Sequence, residues 1–465
     1  MAWHKTARWQ HARHWCVALL IGTGMVVGMG TPAHALGLLE AYALATANDA
    51  TFQAARASRD AGLENRGIGR AGLLPQVSLS YQNAPRNRQH IRYEASNGQF
   101  QEDDREYKSH AGSVTLTQPL FDAAAWARWK KAGAYALMAD EQYRSKAQDL
   151  VLRLVKGYTG VLLAQEQLAF AHAQHDVYRE QLQRNTKAFE HGDGTRTDMA
   201  QTQARLKQAE VDVITAENAL EVAQLALQSM LGLQQPALPP LDALAADFAD
   251  ATAPELETQD FAHWQQLALT HNAELAAQRH ALEAARQDVR VQKAAHLPTV
   301  RAFVQHSRNQ SDIAAAYNQN YRTNTVGVVL NMPLYAGGGT AAATRQSAHL
   351  HESARHTLEA QTQTVLLELR KQHRLSQSGP TRIAASLEAM RAAELALEGN
   401  RRSVMAGERT NLDVLDAIQQ MYRARRDLSN VIYETINARL ELRWRTGTLD
   451  AGDLQELAAY FPSPD

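Results

Sequence analysis

The fold of this chain is constrained above all by an internal repeat that covers almost its whole length. Four short segments occur twice at nearly constant offsets: 49–52 and 272–275, 71–75 and 294–298, 117–121 and 331–335, and 192–198 and 407–413. Similarity at a fixed offset indicates one structural unit that is used twice. Each element of the first copy should therefore have a counterpart in the second.

Each copy contains two stretches with the alternation of a β-strand. In the first copy, Val77, Leu79 and Tyr81 alternate with polar residues before a polar stretch at 85–106, which we predict to be a loop. The other apolar positions with this spacing are Val114 and Leu116 in the first copy and, after a second predicted loop at 308–321, Val326, Val328 and Leu330. A period of two is the period of a strand, so the pattern predicts one strand pair per copy.

Four strands are too few to close on themselves. Strands that face lipid need a closed barrel of at least about eight, because an open edge leaves backbone groups unpaired in hydrocarbon. If these hairpins enter a membrane, the protein must therefore be an oligomer. The alternative is two ordinary exposed hairpins, which need no membrane.

A long helix is predicted after each strand pair. Residues 122–190 and 337–405 are rich in Ala, Leu, Gln, Glu and Arg, and each would form a helix about 100 Å long. Gly379 and Pro380 should interrupt and kink the second one. Apolar residues step by four and three, which is coiled-coil seam spacing, at Ala147, Val151, Leu154, Tyr158 and Val161, and then at Leu206, Ala209, Val213, Ala216, Leu220, Ala223, Leu227 and Met230.

The first residues have the pattern of an export signal. A basic start precedes an apolar run at 17–29, and the small residues Ala33 and Ala35 match a cleavage site, so we predict a signal peptide at 1–35. The alternative, a membrane anchor, needs a longer apolar run. Cys16 is the only cysteine and lies before the run, so the mature chain should carry neither a disulfide nor a lipid-anchoring cysteine.

The remaining chain divides into four predicted parts. The first structural repeat covers 36–232 and the second covers 261–447. Between them, 233–260 contains four prolines among small and acidic residues, which is typical of a linker or irregular equatorial segment. Residues 448–465 form a similar C-terminal equatorial segment.

Several classes of function lack support in the sequence. The net charge is −1 and no long basic run occurs, which argues against nucleic acid as a partner. No nucleophile elbow, phosphate-binding glycine loop or catalytic triad is evident, so we predict no enzyme and no cofactor. Histidine groups such as His172 with His175, or His349, His351 and His356, lack the companions of a metal site, and we predict no metal.

In these features the chain resembles the TolC family of outer-membrane channels over nearly all of the predicted mature sequence. The most specific match is 407–417, which looks like the family's periplasmic tip motif, with a partial match at 192–198. The resemblance implies a mainly α fold with a membrane β-barrel. Long coiled-coil helices would form an α-helical tunnel, and four β-strands per protomer would complete a trimeric twelve-stranded barrel. The homotrimer would sit in outer-membrane lipid and extend into the periplasm.

By position, the resemblance implies an acidic ring at the periplasmic aperture, formed by Asp413 and Asp416. Arg409 would be the basic half of a tip link, with Thr197 and Asp198 as the facing groups. The three-residue spacing places both ring acids on one helix face. Carboxylates crowded around a narrow pore repel each other and attract cations.

Two tip glycines and one departure complete the comparison with the family. The resemblance implies that Gly192 and Gly407 line the grooves that receive an adaptor's helical hairpin. The family often has a tyrosine where this chain has Val404, which puts the Asp198 link in question. The alternative for the two ring acids is that they only cap the helix that starts near Thr410.

The predicted function is that of an outer-membrane exit duct in a tripartite export system, namely type I protein secretion. Its partners would be a periplasmic adaptor (membrane fusion) protein and an inner-membrane pump, ABC-type or other. The absent lipidation cysteine and the Arg-Thr-x-x-Asp-Val-Leu-Asp tip favour the secretion branch of the family. The alternatives are a multidrug or metal efflux duct and a periplasmic coiled-coil scaffold.

Overall fold

The computed structural model describes residues 35–233, 238–245, 248, 260–311 and 319–462. The predicted signal peptide lies outside these residues except for Ala35, and so does much of the predicted linker at 233–260. In chain order the elements are α1 (Leu38–Asn48), α2 (Ala50–Leu63), α3 (Asn65–Ala71), β1 (Gln76–Glu94), β2 (Phe100–Phe121), α4 (Ala123–His191), α5 (Arg196–Leu231), α6 (Phe261–His271), α7 (Ala273–Ala294), β3 (Thr299–Ser311), β4 (Gln319–Asn331), α8 (Gly339–Met405), α9 (Asn411–Thr446) and α10 (Ala451–Ala458).

The strand pairs of the two copies join into one antiparallel sheet in the order β1-β2-β3-β4. The register aligns Val77 with Leu116, Leu116 with Val304, and Val304 with Val326, so the predicted apolar positions share one face. Their side chains are exposed in the single chain. The opposite face is polar, as in the hydrogen bond between the hydroxyls of Ser80 and Ser113. The prediction of four strands is therefore confirmed.

Hairpin β1–β2 is longer than predicted, because most of the stretch at 85–106 is strand and not loop. The two strands continue beyond Ser109, which pairs with the last residue of β3. Oppositely charged side chains face one another across this extension: Arg86 with Glu106 (2.6 Å), Arg88 with Asp104 (3.0 Å) and Arg92 with Glu102 (3.7 Å). The polarity that indicated a loop is thus a series of cross-strand ion pairs. The predicted loop at 308–321 is likewise shorter, since β3 ends at Ser311 and β4 begins at Gln319.

The two long helices follow their strand pairs as predicted. Helix α4 has 69 residues and α8 has 67. The Asp122 carboxylate caps α4 by accepting a hydrogen bond from the amide of Ala125 (2.8 Å). Within the part of the chain that the structure describes, no helix combines the length and the apolar character needed to cross a bilayer.

The predicted interruption of α8 at Gly379 and Pro380 is wrong, because the helix continues through both residues. Gly379 instead permits a close approach to α9. A Cβ atom built on Gly379 would lie 2.8 Å from Thr435 Oγ1 and closer still to its Cγ2. Gly379 is therefore a packing position. Helix α8 continues through Pro380 and packs against α9.

The predicted seam positions of α4 and α5 face inward. Val151, Leu154, Tyr158 and Val161 belong to one buried core near the middle of the long helices. The Tyr158 hydroxyl donates to the carbonyl oxygen of Leu36 at 2.9 Å. A second buried cluster lies at the far end of the helices, where α4, α5, α8 and α9 meet. This second cluster supports the site described next.

Candidate functional site at the helical tip

The tip consists of two similar turns, one from α4 to α5 and one from α8 to α9. Gly192 has a φ of 87° and Gly407 a φ of 79°, a left-handed conformation in which a side chain is strained. Nothing lies within 4 Å of a Cβ built on either glycine, so backbone conformation and not crowding requires glycine here. Both residues are exposed. Their assignment to adaptor grooves stays a prediction.

A capping box starts the helix after each turn. The Asp198 carboxylate accepts from the amide (3.2 Å) and the hydroxyl (2.6 Å) of Thr195. The Asp413 carboxylate accepts from the amide (2.9 Å) and the hydroxyl (2.7 Å) of Thr410. These bonds from Thr410, with a smaller contribution from the Arg409 guanidinium, hold the pKa of Asp413 below its ordinary value. Capping, one of the two sequence interpretations, therefore describes Asp413 in the single chain.

Asp416 has a different partner. Arg205 of α5 donates through Nη2 to Asp416 Oδ1 at 2.8 Å and through Nη1 to Gln419 Oε1 at 2.6 Å. Both acceptors lie on α9, so one guanidinium joins the second helix of each hairpin. Arg205 and Asp416 are partly exposed, which makes this ion pair sensitive to salt.

A partly buried polar cluster lies beside this ion pair. The amide of Gln181 donates to Asn411 Oδ1 (2.9 Å), and the amides of Asn185 (2.7 Å) and Asn411 (3.2 Å) both donate to Thr202 Oγ1. The Thr202 hydroxyl donates to the carbonyl oxygen of Asp198 at 2.8 Å, and Thr202 is fully buried. These uncharged groups connect α4, α5 and α9. Their hydrogen bonds should depend little on salt or pH.

An apolar base supports both polar features. Tyr178, Leu415 and Ile418 are among its buried members, and Val404 packs against them. Burial raises the pKa of the Tyr178 hydroxyl, which donates to the Leu415 carbonyl oxygen at 3.4 Å. At position 404 the chain thus uses an apolar contact, where the family pattern led us to look for a tyrosine.

The predicted tip link is not formed within one chain. The Arg409 guanidinium lies beside the carboxylate of Asp413, near the start of α9, with Nη1 and Oδ1 4.0 Å apart. Asp198 is occupied by its capping box, and Thr197 is exposed. A link from Arg409 to Thr197 or Asp198 stays a prediction.

Sequence reasoning missed Arg205 and the partly buried polar cluster. A signal was present, because Thr202 precedes Leu206 and Ala209 with the same spacing of four and three. It is therefore a polar residue at a seam position. A polar residue in a coiled-coil seam often fixes the register of the helices. The partner Asn411 is distant in sequence and gave no comparable signal.

No cluster that could hold a metal occurs among the residues described, where a cluster means three or more His, Cys, Asp or Glu side chains. The Arg205 guanidinium and the partly buried polar cluster join hairpin α4–α5 to hairpin α8–α9. Such contacts can keep two helical hairpins together and release them when a partner supplies more binding energy.

Comparison with known proteins covers almost the whole chain. The family model described as "Outer membrane efflux protein" matches residues 41–233 and 264–448. The alkaline protease secretion protein AprF of Pseudomonas aeruginosa is 39% identical over 435 residues, which are 93% of this chain and 88% of the relative. The proteases secretion protein PrtF of Dickeya chrysanthemi is 40% identical over 439 residues, 93% of each chain. The outer membrane protein TolC of Vibrio cholerae is 30% identical over 426 residues, 91% of this chain and 93% of the relative.

Solved structures agree on the fold. The outer membrane protein VceC of Vibrio cholerae superposes with a TM-score of 0.73 at 17% identity, over 88% of this chain and 96% of the other. CusC gives a TM-score of 0.72 at 17% identity, over 90% of this chain and 95% of the other. The long helices with a small four-stranded sheet are therefore an architecture that these proteins share.

Proposed function

Because the chain belongs to the outer membrane efflux protein family, we propose that it is the outer-membrane exit duct of a type I protein secretion system. One observation carries the choice of protein export. The two relatives at 39% and 40% identity are both named for secretion of proteases, and each match spans 93% of this chain. We assign no catalytic role, in keeping with relatives that are named as secretion and outer-membrane proteins.

A homotrimer with a closed barrel is part of this proposal. The sheet has four strands with open edges at β1 and β4, so three copies would supply twelve strands and close every edge. The apolar face formed by Val77, Leu116, Val304 and Val326 would then face lipid. This arrangement would place the exposed apolar side chains of the sheet in hydrocarbon and its polar face in the lumen.

An exposed apolar stripe on α5 supports the same assembly. Val211, Ile214, Val222 and Leu225 are 54%, 56%, 67% and 44% exposed, and they lie opposite the face that packs inside the chain. Their spacing is that of a second coiled-coil seam. A neighbouring protomer would cover this stripe and continue the helical tunnel.

In this proposal the tip is the gate. Contacts between hairpin α4–α5 and hairpin α8–α9 would hold it closed, and Asp413 and Asp416 would face the narrow aperture. A periplasmic adaptor seated at Gly192 and Gly407 would pull the hairpins apart, and an inner-membrane pump would provide the energy. The supporting observation is that bonds from Arg205 to Asp416 and from Asn411 to Thr202 join the two hairpins.

Multidrug or metal efflux is the second candidate function. It is favoured by the family description and by the outer membrane efflux protein BepC of Brucella suis, which is 26% identical over 450 residues. The same duct geometry would serve either cargo. The two candidates therefore differ in the pump and adaptor, and a cellular experiment must separate them.

Deletion of the gene in its native host tests the proposal. We expect at least one protein to disappear from the culture medium and to return when the wild-type gene is restored. Unchanged secretion with raised sensitivity to toxic compounds would instead establish efflux. Cell fractionation is the companion measurement. Recovery of the protein as a soluble periplasmic species would contradict both the secretion duct and the efflux duct, and it would support a periplasmic coiled-coil scaffold.

A further inference from the structure

Two arginines face each other directly on hairpin β3–β4. Arg308 of β3 pairs with Arg322 of β4 in the antiparallel register, and both residues are exposed. Like charges directly opposite one another destabilise a sheet unless an anion compensates them. Within the part of the chain that the structure describes, neither guanidinium has a carboxylate partner.

The neighbouring hairpin shows how this chain neutralises arginines when it does so internally. Arg86, Arg88 and Arg92 of β1 each have a carboxylate partner on β2. No such partner faces Arg308 or Arg322 across β3–β4. The sequence of β1 from residue 76 to residue 93 contains no Asp or Glu, so a β1 strand brought beside β4 by a neighbouring protomer would add no carboxylate over those positions.

The position of the pair on the sheet indicates what the anion is. Val304 and Val326 pair on the same face, and His306 with Asn324 separates them from the arginines. The arginines therefore lie about 13 Å beyond the apolar pair, at the end of the apolar face that is remote from the helices. If the sheet crosses the outer membrane as proposed above, this end lies at the headgroups of the outer leaflet.

We propose that Arg308 and Arg322 bind a phosphate group of an outer-leaflet lipid. Two guanidinium groups on adjacent strands present planar donor pairs to one phosphate, and arginine binds phosphate with charge-assisted, often bidentate hydrogen bonds. Each side chain can keep its head at the membrane surface while its stem lies along the apolar face. The lipid would anchor the outer end of hairpin β3–β4, whose two strands otherwise repel each other there.

The test uses the purified full-length protein and native mass spectrometry to count bound lipid. The probes are a glycolipid with two phosphate monoesters (lipid A), the same glycolipid without phosphates, and inorganic phosphate alone. We expect the wild type to retain the phosphorylated glycolipid only. The variant Arg308→Gln/Arg322→Gln should bind it more weakly by about tenfold for each arginine lost. Arg301→Gln removes an arginine from the other face of β3 and should leave binding unchanged.

Equal binding by the Gln double variant and the wild type would overturn the proposal, as would equal retention of the dephosphorylated glycolipid. Saturation by inorganic phosphate at the affinity of the glycolipid would assign the site to a soluble anion. If the Gln variant does not fold, Arg308→Lys/Arg322→Lys keeps the charge without the planar donor pair, and we then expect an intermediate loss of lipid binding.

This inference rests on the proposed function, but different results would refute the lipid site and the duct. Intact secretion without lipid binding refutes only the lipid site, whereas a wild type absent from the outer-membrane fraction refutes the duct.

Discussion

At the residue scale, Asp413 and Asp416 lie one helical turn apart and have different partners. Asp413 closes a capping box with Thr410, and Asp416 binds Arg205 of the other hairpin. The motif match assigned both acids to one ring. In the single chain, Asp413 is bonded within its own helix, whereas Asp416 is bonded across the two hairpins.

The ion pair between Arg205 and Asp416 should help to keep the aperture closed. Replacement by Arg205→Gln or by Asp416→Asn should raise the open fraction in planar bilayers by about two- to fivefold, since partly exposed ion pairs contribute up to about 1 kcal/mol. The effect should shrink at high salt. Because both substitutions break the same ion pair, the double variant should open little more than Arg205→Gln alone.

The control for this prediction is Arg184→Gln. Arg184 pairs with Glu180 inside α4 (3.6 Å), so its loss changes the charge near the tip without separating the hairpins. A control that opens the channel as much as Arg205→Gln would show that general charge and not the ion pair matters. Fully additive effects of the two single substitutions would also contradict the prediction.

The capping role of Asp413 should give the tip a dependence on pH. The folded pKa lies below the ordinary value because Thr410 donates to the carboxylate. The bond therefore stabilises the fold above the ordinary pKa, and this stabilisation is lost as pH falls through the folded pKa. We expect the amides in the first turn of α9 to lose protection against hydrogen exchange as pH falls through that value.

The variant Asp413→Asn supplies the comparison. Its α9 amides should already exchange faster at pH 7, with a weaker dependence on pH after correction for intrinsic rates. The first turn of α5, which has its own capping box at Thr195, serves as an internal reference in the same sample. Unchanged α9 protection in Asp413→Asn at pH 7 would show that the cap does not hold this turn.

At the scale of elements, the close approach of α8 to α9 depends on Gly379. An alanine there would gain about 1 kcal/mol of helix propensity but would place its Cβ within 2.8 Å of Thr435 Oγ1 and closer to Cγ2. Overpacking costs about 1–3 kcal/mol, so we expect Gly379→Ala to lower the denaturation midpoint. Adding Thr435→Ala should recover part of the loss.

Gly399 provides a matched control in the same helix. Nothing lies within 4 Å of a Cβ built on Gly399, so Gly399→Ala should be neutral or stabilising by up to about 1 kcal/mol. If both alanine variants shift the midpoint in the same direction, steric contact with Thr435 does not explain the glycine at 379.

The elements themselves were largely readable from the sequence. A strand period of two and a seam spacing of three and four are local patterns, so both strand pairs and both long helices could be predicted. The errors arose where local rules were overridden by a neighbour. The polar stretch at 85–106 is strand because its charges pair across the hairpin, and α8 passes through Pro380 because it packs against α9.

At the scale of the whole molecule, the exposed stripe on α5 should be the surface that joins protomers. Ile214→Glu/Val222→Glu places two charges in the proposed interface, where burial of an unpaired charge is costly. We expect the purified protein to shift from the proposed trimer towards monomer, measured as mass in analytical ultracentrifugation.

Ala219→Glu is the control for this assembly prediction. Ala219 is exposed on α5 but lies off the stripe, so its substitution adds charge without entering the interface. A stable trimer in the double variant would show that another surface joins the protomers. Dissociation by Ala219→Glu alone would show that any added charge on α5 separates the protomers, whether or not it lies on the stripe.

The repeated unit, the order of its elements and the apolar faces of its strands and helices could all be predicted from the sequence, because they depend on patterns within short segments. The tip motif was also located through resemblance. Which side chains meet at the tip became clear only from the folded chain. Arg205 reaches Asp416 across 211 positions, and Asn411 reaches Thr202 across 209. Such pairs depend on the relative register of separate helices, which packing of the whole bundle fixes and no local pattern records.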